Sequence, residues 1–316
     1  QGSLAAWPET LATLLRERKI TDIVIYGDTR PVNAEAVKQA KAAGLQIHVF
    51  EEGYLRPYWV TYERQGSNGH SRLMDLSVSD MTAVSAPELP SPPSHWGDMR
   101  QHIFWGAAYH WFVMFRNGRY PQFKPHRALP VRREALLYSK RLLMMPFFAL
   151  DRAMTTRRIL SAGYPYHVAL LQLEHDASFQ AHSPFDDMAA FLDVVIDGFA
   201  NGAPAHHHLV FKAHPLESGQ SPLRRLIRER ATDKCLSDRV HYLRGGKLAR
   251  ILAQAETAVT VNSTAGQQAL WRGIPLKLFG TAVYGKPEFV SGQALPTFFA
   301  KPQRPDIAAY RAFRQF

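Results

Sequence analysis

The segment Ala258 to Gly280, AVTVNSTAGQQALWRGIPLKLFG, constrains this chain's fold more than any other stretch. It opens with an apolar, β-branched run (Val259, Val261), the mark of a buried strand. Asn262-Ser263-Thr264 breaks the run and supplies hydroxyls at the start of Ala265–Trp271, whose composition is helical. Gly273-Ile274-Pro275 stops that helix, and Leu276–Phe279 reads as a second strand. Together they make one βαβ unit with backbone N–H groups aimed out of the turn. Such a turn is either an anion site, favoured by unpaired donors and the helix dipole, or an ordinary capped helix start.

The same alternation recurs along the chain. Leu11–Lys19 is helical, Asp22–Tyr26 is a short strand ending in Gly27-Asp28-Thr29-Arg30, and Asn33–Ala43 is an amphipathic helix closed by Gly44. Gln46–Phe50 follows as a strand and leads into Glu51-Glu52-Gly53-Tyr54-Leu55-Arg56-Pro57. Two clear strands are thin for a sheet, so the chain is expected to begin partway through its first domain. Tyr58–Leu73 reads as irregular, and 79–96, with four prolines, as a linker. Farther on, Tyr166–Leu173 is a strand with Glu174-His175-Asp176 at its carboxyl end. Phe185–Phe199 is a helix, and His208–Lys212 a strand running into Ala213-His214-Pro215. Leu223–Thr232 (helix), Val240–Leu243 (strand) and Lys247–Ala255 (helix) then lead into the opening segment. Strands alternating with helices predict parallel sheets, whose ligands sit beyond the strands' carboxyl ends. The expected fold is α/β: two Rossmann-like domains facing a cleft, the GT-B arrangement, with a helical middle section and an incomplete N-terminal domain. Its parts are 1–98 (N-terminal domain), 99–160 (helical section), 161–290 (C-terminal domain) and 291–316, a tail packing back on the N-terminal domain.

The middle section carries HIFWGAAYHWFVMFRNGRY and RREALLYSKRLLMMPFFALDRAMTTRRIL. It is either a set of helices packed on the sheet or an amphipathic surface lying on an anionic membrane. Pro146 is expected to kink or break any helix there. At 46% hydrophobic and 21% charged the chain is globular, and its formal net charge of +11 points to anionic partners. Nucleic acid fits poorly, because no DNA- or RNA-binding signature is present. No run approaches the roughly 18 apolar residues that span a bilayer. Cys235, the single cysteine, excludes an internal disulfide and a cysteine zinc site and suits a reducing compartment. His206, His207 and His208 make a weak metal site, since neighbouring positions cannot all point one way.

The chemistry-bearing residues fall at strand ends. Carboxylates such as Glu51, Glu52 and Asp176 can act as nucleophile or acid/base at an anomeric carbon. Lys212, His214 and the helix start at Ser263 and Thr264 can hold a phosphate leaving group. The chain has no GxxxxGK[ST] loop, no GxGxxG after a strand and no GxSxG elbow, which disfavours the matching ATPase, dehydrogenase and α/β-hydrolase readings. Each candidate also has a plain structural reading. Asp176 can cap the next turn, Glu51 and Glu52 can be a solvated strand end, and Arg56 can pair with either glutamate. His214 before Pro215 can be a buried structural histidine, and Asn68, His70 and Ser71 can be loop structure.

These residues carry a resemblance. EEGYLRP at 51–57 with Trp59, Gly69-His70-Ser71 after Asn68, Gln172-Leu173-Glu174-His175-Asp176, Lys212-Ala213-His214-Pro215 and Asn262-Ser263-Thr264-Ala265-Gly266 stand in the order found in one family. The chain resembles the capsule polysaccharide synthesis family of bacterial Kdo transferases over nearly its whole length. The subtype it looks most like starts a poly-Kdo linker on a lyso-phosphatidylglycerol or phosphatidylglycerol terminus. The resemblance implies retaining transfer of β-Kdo from CMP-β-Kdo, with no metal or other cofactor. It makes Asp176 the nucleophile and Glu51, slightly ahead of Glu52, the acid/base. Lys212, His214, Pro215, Asn262, Ser263, Thr264, Gly266 and Gln268 would bind the donor, and Arg56, Asn68, His70 and Ser71 the acceptor or the sugar carboxylate. Residues 1–98 would then be the acceptor domain and 161–290 the nucleotide-sugar domain. Gln268 departs from the glutamate many relatives carry there, which alters any ribose contact. The partners implied are a CMP-sugar and an anionic lipid, at the cytoplasmic face of the inner membrane. Two alternatives stay open: another CMP- or UDP-sugar enzyme of this architecture (a sialyltransferase or epimerase), and a non-catalytic lipid-glycan-binding component of capsule export.

Overall fold

The computed structural model describes residues 3–55, 59–83, 99–120, 129–217, 219 and 221–316. Their contacts divide them between two compact units, one within Gln1–Asp75 and Leu89–Ser139, the other within Leu76–Glu88 and Lys140–Phe316.

The N-terminal unit opens with α1 (Trp7–Glu17), β1 (Asp22–Tyr26), α2 (Pro31–Ala42), β2 (Gln46–Glu52) and β3 (Val60–Arg64). β1 and β2 pair in parallel, from Asp22 opposite Gln46 to Tyr26 opposite Phe50. The period-2 pattern of β2 sends Ile47 and Val49 into a small core with Ala40, Ile23, Ile25, Val37 and Leu45. The alternate residues Val24, Tyr26, Phe50 and Tyr62 are exposed. β3 corrects the irregular reading of Tyr58–Leu73: Val60–Arg64 pairs antiparallel with β2. Its polar composition hid it, because Glu63 is held by hydrogen bonds rather than by apolar packing.

Next come α3 (Val78–Thr82), α4 (Met99–Phe115) and α5 (Val131–Ser161). α5 runs continuously through Pro146, so of the expected kink or break it shows no break. Proline removes one helical hydrogen bond, but Pro146 and Leu142 are both exposed, so water can serve the Leu142 carbonyl.

The C-terminal unit holds the expected parallel sheet. Its strands are β4 (Tyr166–Leu170), β5 (His208–Lys212), β6 (Val240–Leu243), β7 (Ala255–Thr260) and β8 (Leu276–Leu278). The order β6-β5-β4-β7-β8, parallel throughout, is the doubly wound arrangement. Every residue of β4 is buried, because both faces of a central parallel strand are covered. Ala169 and Leu171 face one core with Phe191, Val195, Phe199 and Phe211, while Val168 and Leu170 face another with Ile159, Val210 and Ile251. The helices are α6 (Ala177–His182), α7 (Met188–Gly202), α8 (Leu223–Asp233), α9 (Leu248–Leu252), α10 (Gly266–Trp271), α11 (Leu295–Ala300) and α12 (Ile307–Gln315). Residues 291–316, expected to pack back on the N-terminal domain, supply α11 and α12. Leu295, Phe298 and Phe299 of α11 complete the core beside α7, and α12 packs on α10 and α3. At the amino ends of the strands, His167 bonds Thr257 and His207, while His208 bonds His241 and stacks on Tyr164.

Candidate functional site

In the C-terminal unit, strand order reverses between β4 and β7, and two motifs leave the sheet side by side there. Gln172 and Asn262, both buried, form a reciprocal amide pair. Asn262 N–H donates to Gln172 Oε1 at 2.9 Å, and Gln172 Nε2 donates to Asn262 Oδ1 at 2.7 Å. Asn262 Nδ2 also donates to the Ser178 carbonyl at 2.8 Å. Each polar atom of the Asn262 side-chain amide thus makes one hydrogen bond within the protein. Gln172, seen in the sequence only as part of a motif, turns out to hold that motif to the next. Sequence gave no signal for this, because the partners are 90 residues apart.

The turn after Asn262 is also more closed than expected. Gly266 and Gln267 N–H groups bond the carbonyls of Ser263 and Thr264, and Ser263 Oγ accepts from Ala265 N–H. The N–H groups of Ser263 and Thr264 find no acceptor among the described residues. Tyr284 OH donates to the Ser263 carbonyl, and Tyr310 OH to that of Gln267. A Cβ on Gly266 would stand 2.9 Å from the Tyr284 hydroxyl and 3.1 Å from Leu276 Cδ2, so a glycine lets the helix start sit this close to its supports. Gln268 is exposed, and its carbonyl accepts from Arg272.

Lys212 ends β5, one strand from the reversal, where its carbonyl accepts from Leu171 N–H. It is 5% exposed, and its Nζ reaches the Ala213 carbonyl at 3.4 Å. No carboxylate lies within ion-pair distance of it among the described residues. Burial alone holds its pKa down to about 8. Beyond it, His214 Nδ1 accepts from Leu216 N–H at 3.1 Å. Arg141 of α5 donates to the carbonyls of Pro215 (2.7 Å) and Leu216 (3.1 Å), fixing this turn.

Glu174 ties three segments, accepting from Ser221 Oγ at 2.6 Å and Met188 N–H at 3.2 Å. Asp176 is exposed and caps α6, accepting from Ser178 N–H at 3.1 Å through Oδ1. Asp176 and Asn262 therefore grip the same residue, Ser178, and the two motifs form one assembly.

In the N-terminal unit the candidates gather at the carboxyl ends of β1 and β2. Asp28, 4% exposed, accepts through Oδ2 from Ser67 N–H at 2.9 Å and from His70 Nδ1 at 3.0 Å. Its Oδ1 is buried without a partner among the described residues. His70 itself is largely exposed. Glu51 lies on the helix-covered face of β2, its Oε2 3.1 Å from where a Cβ on Gly27 would be. Glu52 lies on the other face and is exposed. Glu63 accepts from Tyr54 OH and Ser71 Oγ, each at 2.5 Å, and Asn68 N–H donates to Tyr54 OH at 2.7 Å. Burial, reinforced by Glu63, pushes the Tyr54 hydroxyl pKa up and keeps it a donor. Ser71 and the Asn68 backbone thus fasten the turn. Gly66 lets it close, since a Cβ there would lie 2.5 Å from the His70 carbonyl. Asp28 follows β1 where the sequence placed a polar cluster, Glu63 was not singled out in the sequence, and Arg56 lies outside the described residues. Among the described residues, no three His, Cys, Asp or Glu side chains converge as a metal site.

The profile of a family described as capsule polysaccharide biosynthesis protein matches residues 21–316. The chain is 29% identical over 317 residues to the capsule polysaccharide export protein KpsS of Escherichia coli, covering 98% of this chain and 80% of that one. It is 29% identical over 323 residues to the capsule polysaccharide modification protein LipB of Neisseria meningitidis serogroup B, covering 98% and 75%. Among solved structures it is similar to Thermosulfurimonas dismutans KpsC, a β-Kdo 2,7 transferase. That match has 12% identity and a TM-score of 0.46, over 97% of this chain and 88% of that one.

Proposed function

Because this chain belongs to the capsule polysaccharide biosynthesis family, as its motifs led us to expect, we propose that it is a glycosyltransferase of capsule assembly. It moves β-Kdo from CMP-β-Kdo, with retention, onto a phosphatidylglycerol-type lipid at the inner face of the inner membrane. The observation that carries this reading is Lys212, a buried ammonium at a strand's carboxyl end beside the reversal of the sheet. Burying a charge without a counter-charge is costly, and an anionic ligand recovers that cost. The phosphate of CMP is such a group, and His214, Ser263 and Thr264 follow the carboxyl ends of β5 and β7 in the same sheet.

In the proposed reaction a carboxylate oxygen of Asp176 attacks the anomeric carbon, and the C–O bond to CMP breaks with its electron pair staying on the phosphate. The acceptor hydroxyl then attacks the same carbon, the Asp176–sugar bond breaks, and the hydroxyl proton passes to a carboxylate of the N-terminal unit. Two inversions give retention. Glu51 suits that last role better than Glu52, since it lies beside Gly27 at the strand ends whereas Glu52 faces the other way. The donor's carboxylate and phosphate are both anionic, which suits a chain of net charge +11. The test is incubation with CMP-Kdo followed by intact-protein mass spectrometry. A Kdo-sized adduct in the wild type that is absent from Asp176→Asn is the expected result. CMP release and product formation unaffected in Asp176→Asn would remove the nucleophile.

One observation favours a second reading, a non-catalytic component that binds lipid-linked glycan: Asp176 already serves as a helix cap. On that reading Asp176→Asn leaves function intact and no CMP is released.

A further inference from the structure

We propose that α4 is an interfacial anchor that seats the protein on an anionic bilayer through a single aromatic face. The inference deepens the lipid-acceptor reading and rests on it for its biological purpose, but not for its test. Read linearly, α4 is apolar all round and carries no Asp or Glu. The structure resolves two sides. At about 100° per residue, Phe104, Trp105, Trp111, Phe112 and Phe115 fall within an arc of about 120°. All five are between 47% and 67% exposed. The other side carries His110, whose Nδ1 lies 3.9 Å from Glu134 and whose ring is 6.2 Å from that of Tyr138, both in the first turns of α5. One side of α4 thus meets α5, and the aromatic side is left to its surroundings.

Charge identifies the occupant. Between 99 and 133 the sequence has seven Arg or Lys residues and no Asp or Glu. A second copy of the chain docked on this face would set two such stretches against each other. A bilayer with anionic headgroups instead meets the basic residues, Arg116, Arg132 and Arg133 among them, while the aromatic rings enter the headgroup–acyl boundary. No helix among the described residues is long and apolar enough to cross a membrane, so the contact lies in the plane of the interface.

The test needs no sugar donor, so its outcome is independent of whether the transferase reading stands. The whole chain is sedimented with vesicles of phosphatidylcholine alone and of phosphatidylcholine with about one third phosphatidylglycerol. Expected are binding about tenfold or more tighter to the anionic vesicles and quenching of Trp105 and Trp111 by bromine-labelled acyl chains. The variant Phe104→Ser/Phe112→Ser/Phe115→Ser should lose quenching and about tenfold in affinity, with its circular dichroism unchanged. Trp105→Ser alone should weaken binding in the same direction. Equal binding to both vesicles, no binding, or a triple variant that binds like the wild type would overturn the proposal. So would a wild-type dimer in light scattering that the triple variant converts to monomer, because the face would then belong to a second copy.

Discussion

A lysine buried beside no carboxylate lowers stability until an anion arrives, and among the described residues Lys212 has none beside it. Lys212→Met should therefore raise the denaturation midpoint of the ligand-free protein, by about 1 kcal/mol, while weakening CMP binding tenfold or more in calorimetry. In the wild type, CMP affinity should fall as pH rises through about 8, where Lys212 loses its charge, and Lys212→Met should flatten that dependence. The sign for folding is opposite. Because the folded pKa lies below the usual 10.5, the unfolded chain holds more protons between about 8 and 10.5, and this residue's contribution to stability rises with pH across that window. At this scale the sequence was informative about chemical type and weak about duty. Lys212 and Asp176 stand where strand ends and motifs put them. That Asn262 bonds Gln172 and Ser178, and that Glu63 anchors Tyr54 and Ser71, depended on partners a linear reading cannot see.

Between elements, the Gln172–Asn262 pair joins the exits of β4 and β7. Gln172→Ala removes the partners of Asn262 N–H and Oδ1, and Asn262→Ala removes those of Gln172 Nε2 and the Ser178 carbonyl, so each should cost about 2–3 kcal/mol in urea unfolding. The double variant should cost clearly less than the sum, because the second truncation removes groups already unpaired. Additive losses would mean that the two side chains act separately. The strands of the parallel sheet were readable because short, mostly apolar runs bounded by turn residues have few alternatives. β3 was not, since its polar residues are stabilised by a network with the 66–71 turn. In α4 apolar residues on both sides cancel in any helical average, so its exposed aromatic face emerges only once α5 marks the inner side.

For the whole molecule, acid should be more damaging than alkali. Burial holds His167 down to about 3 and His241 to about 4, and His207 and His208 are lowered by the same cause. The unfolded chain takes up these protons from about pH 6.5 downward while the folded chain resists. Stability should hold above that value and fall between about 6.5 and 4, by up to about 1.4 kcal/mol for each pH unit from His167 and less from the more exposed imidazoles. Melting temperatures at pH 7.5, 6 and 5 would show it, and His167→Leu should give a shallower slope. An unchanged slope would assign the acid sensitivity to carboxylates. The α/β class followed from alternating elements, whereas the partners of α11 and α12 lie far away in sequence, beyond what the pattern of two short helices specifies. The amide pair at the sheet's reversal has one more consequence, for inheritance. Gln172 and Asn262 each complete the other's hydrogen bonds, so a mutation at one is filtered by what stands at the other. Two motifs 90 residues apart are therefore constrained to change as one.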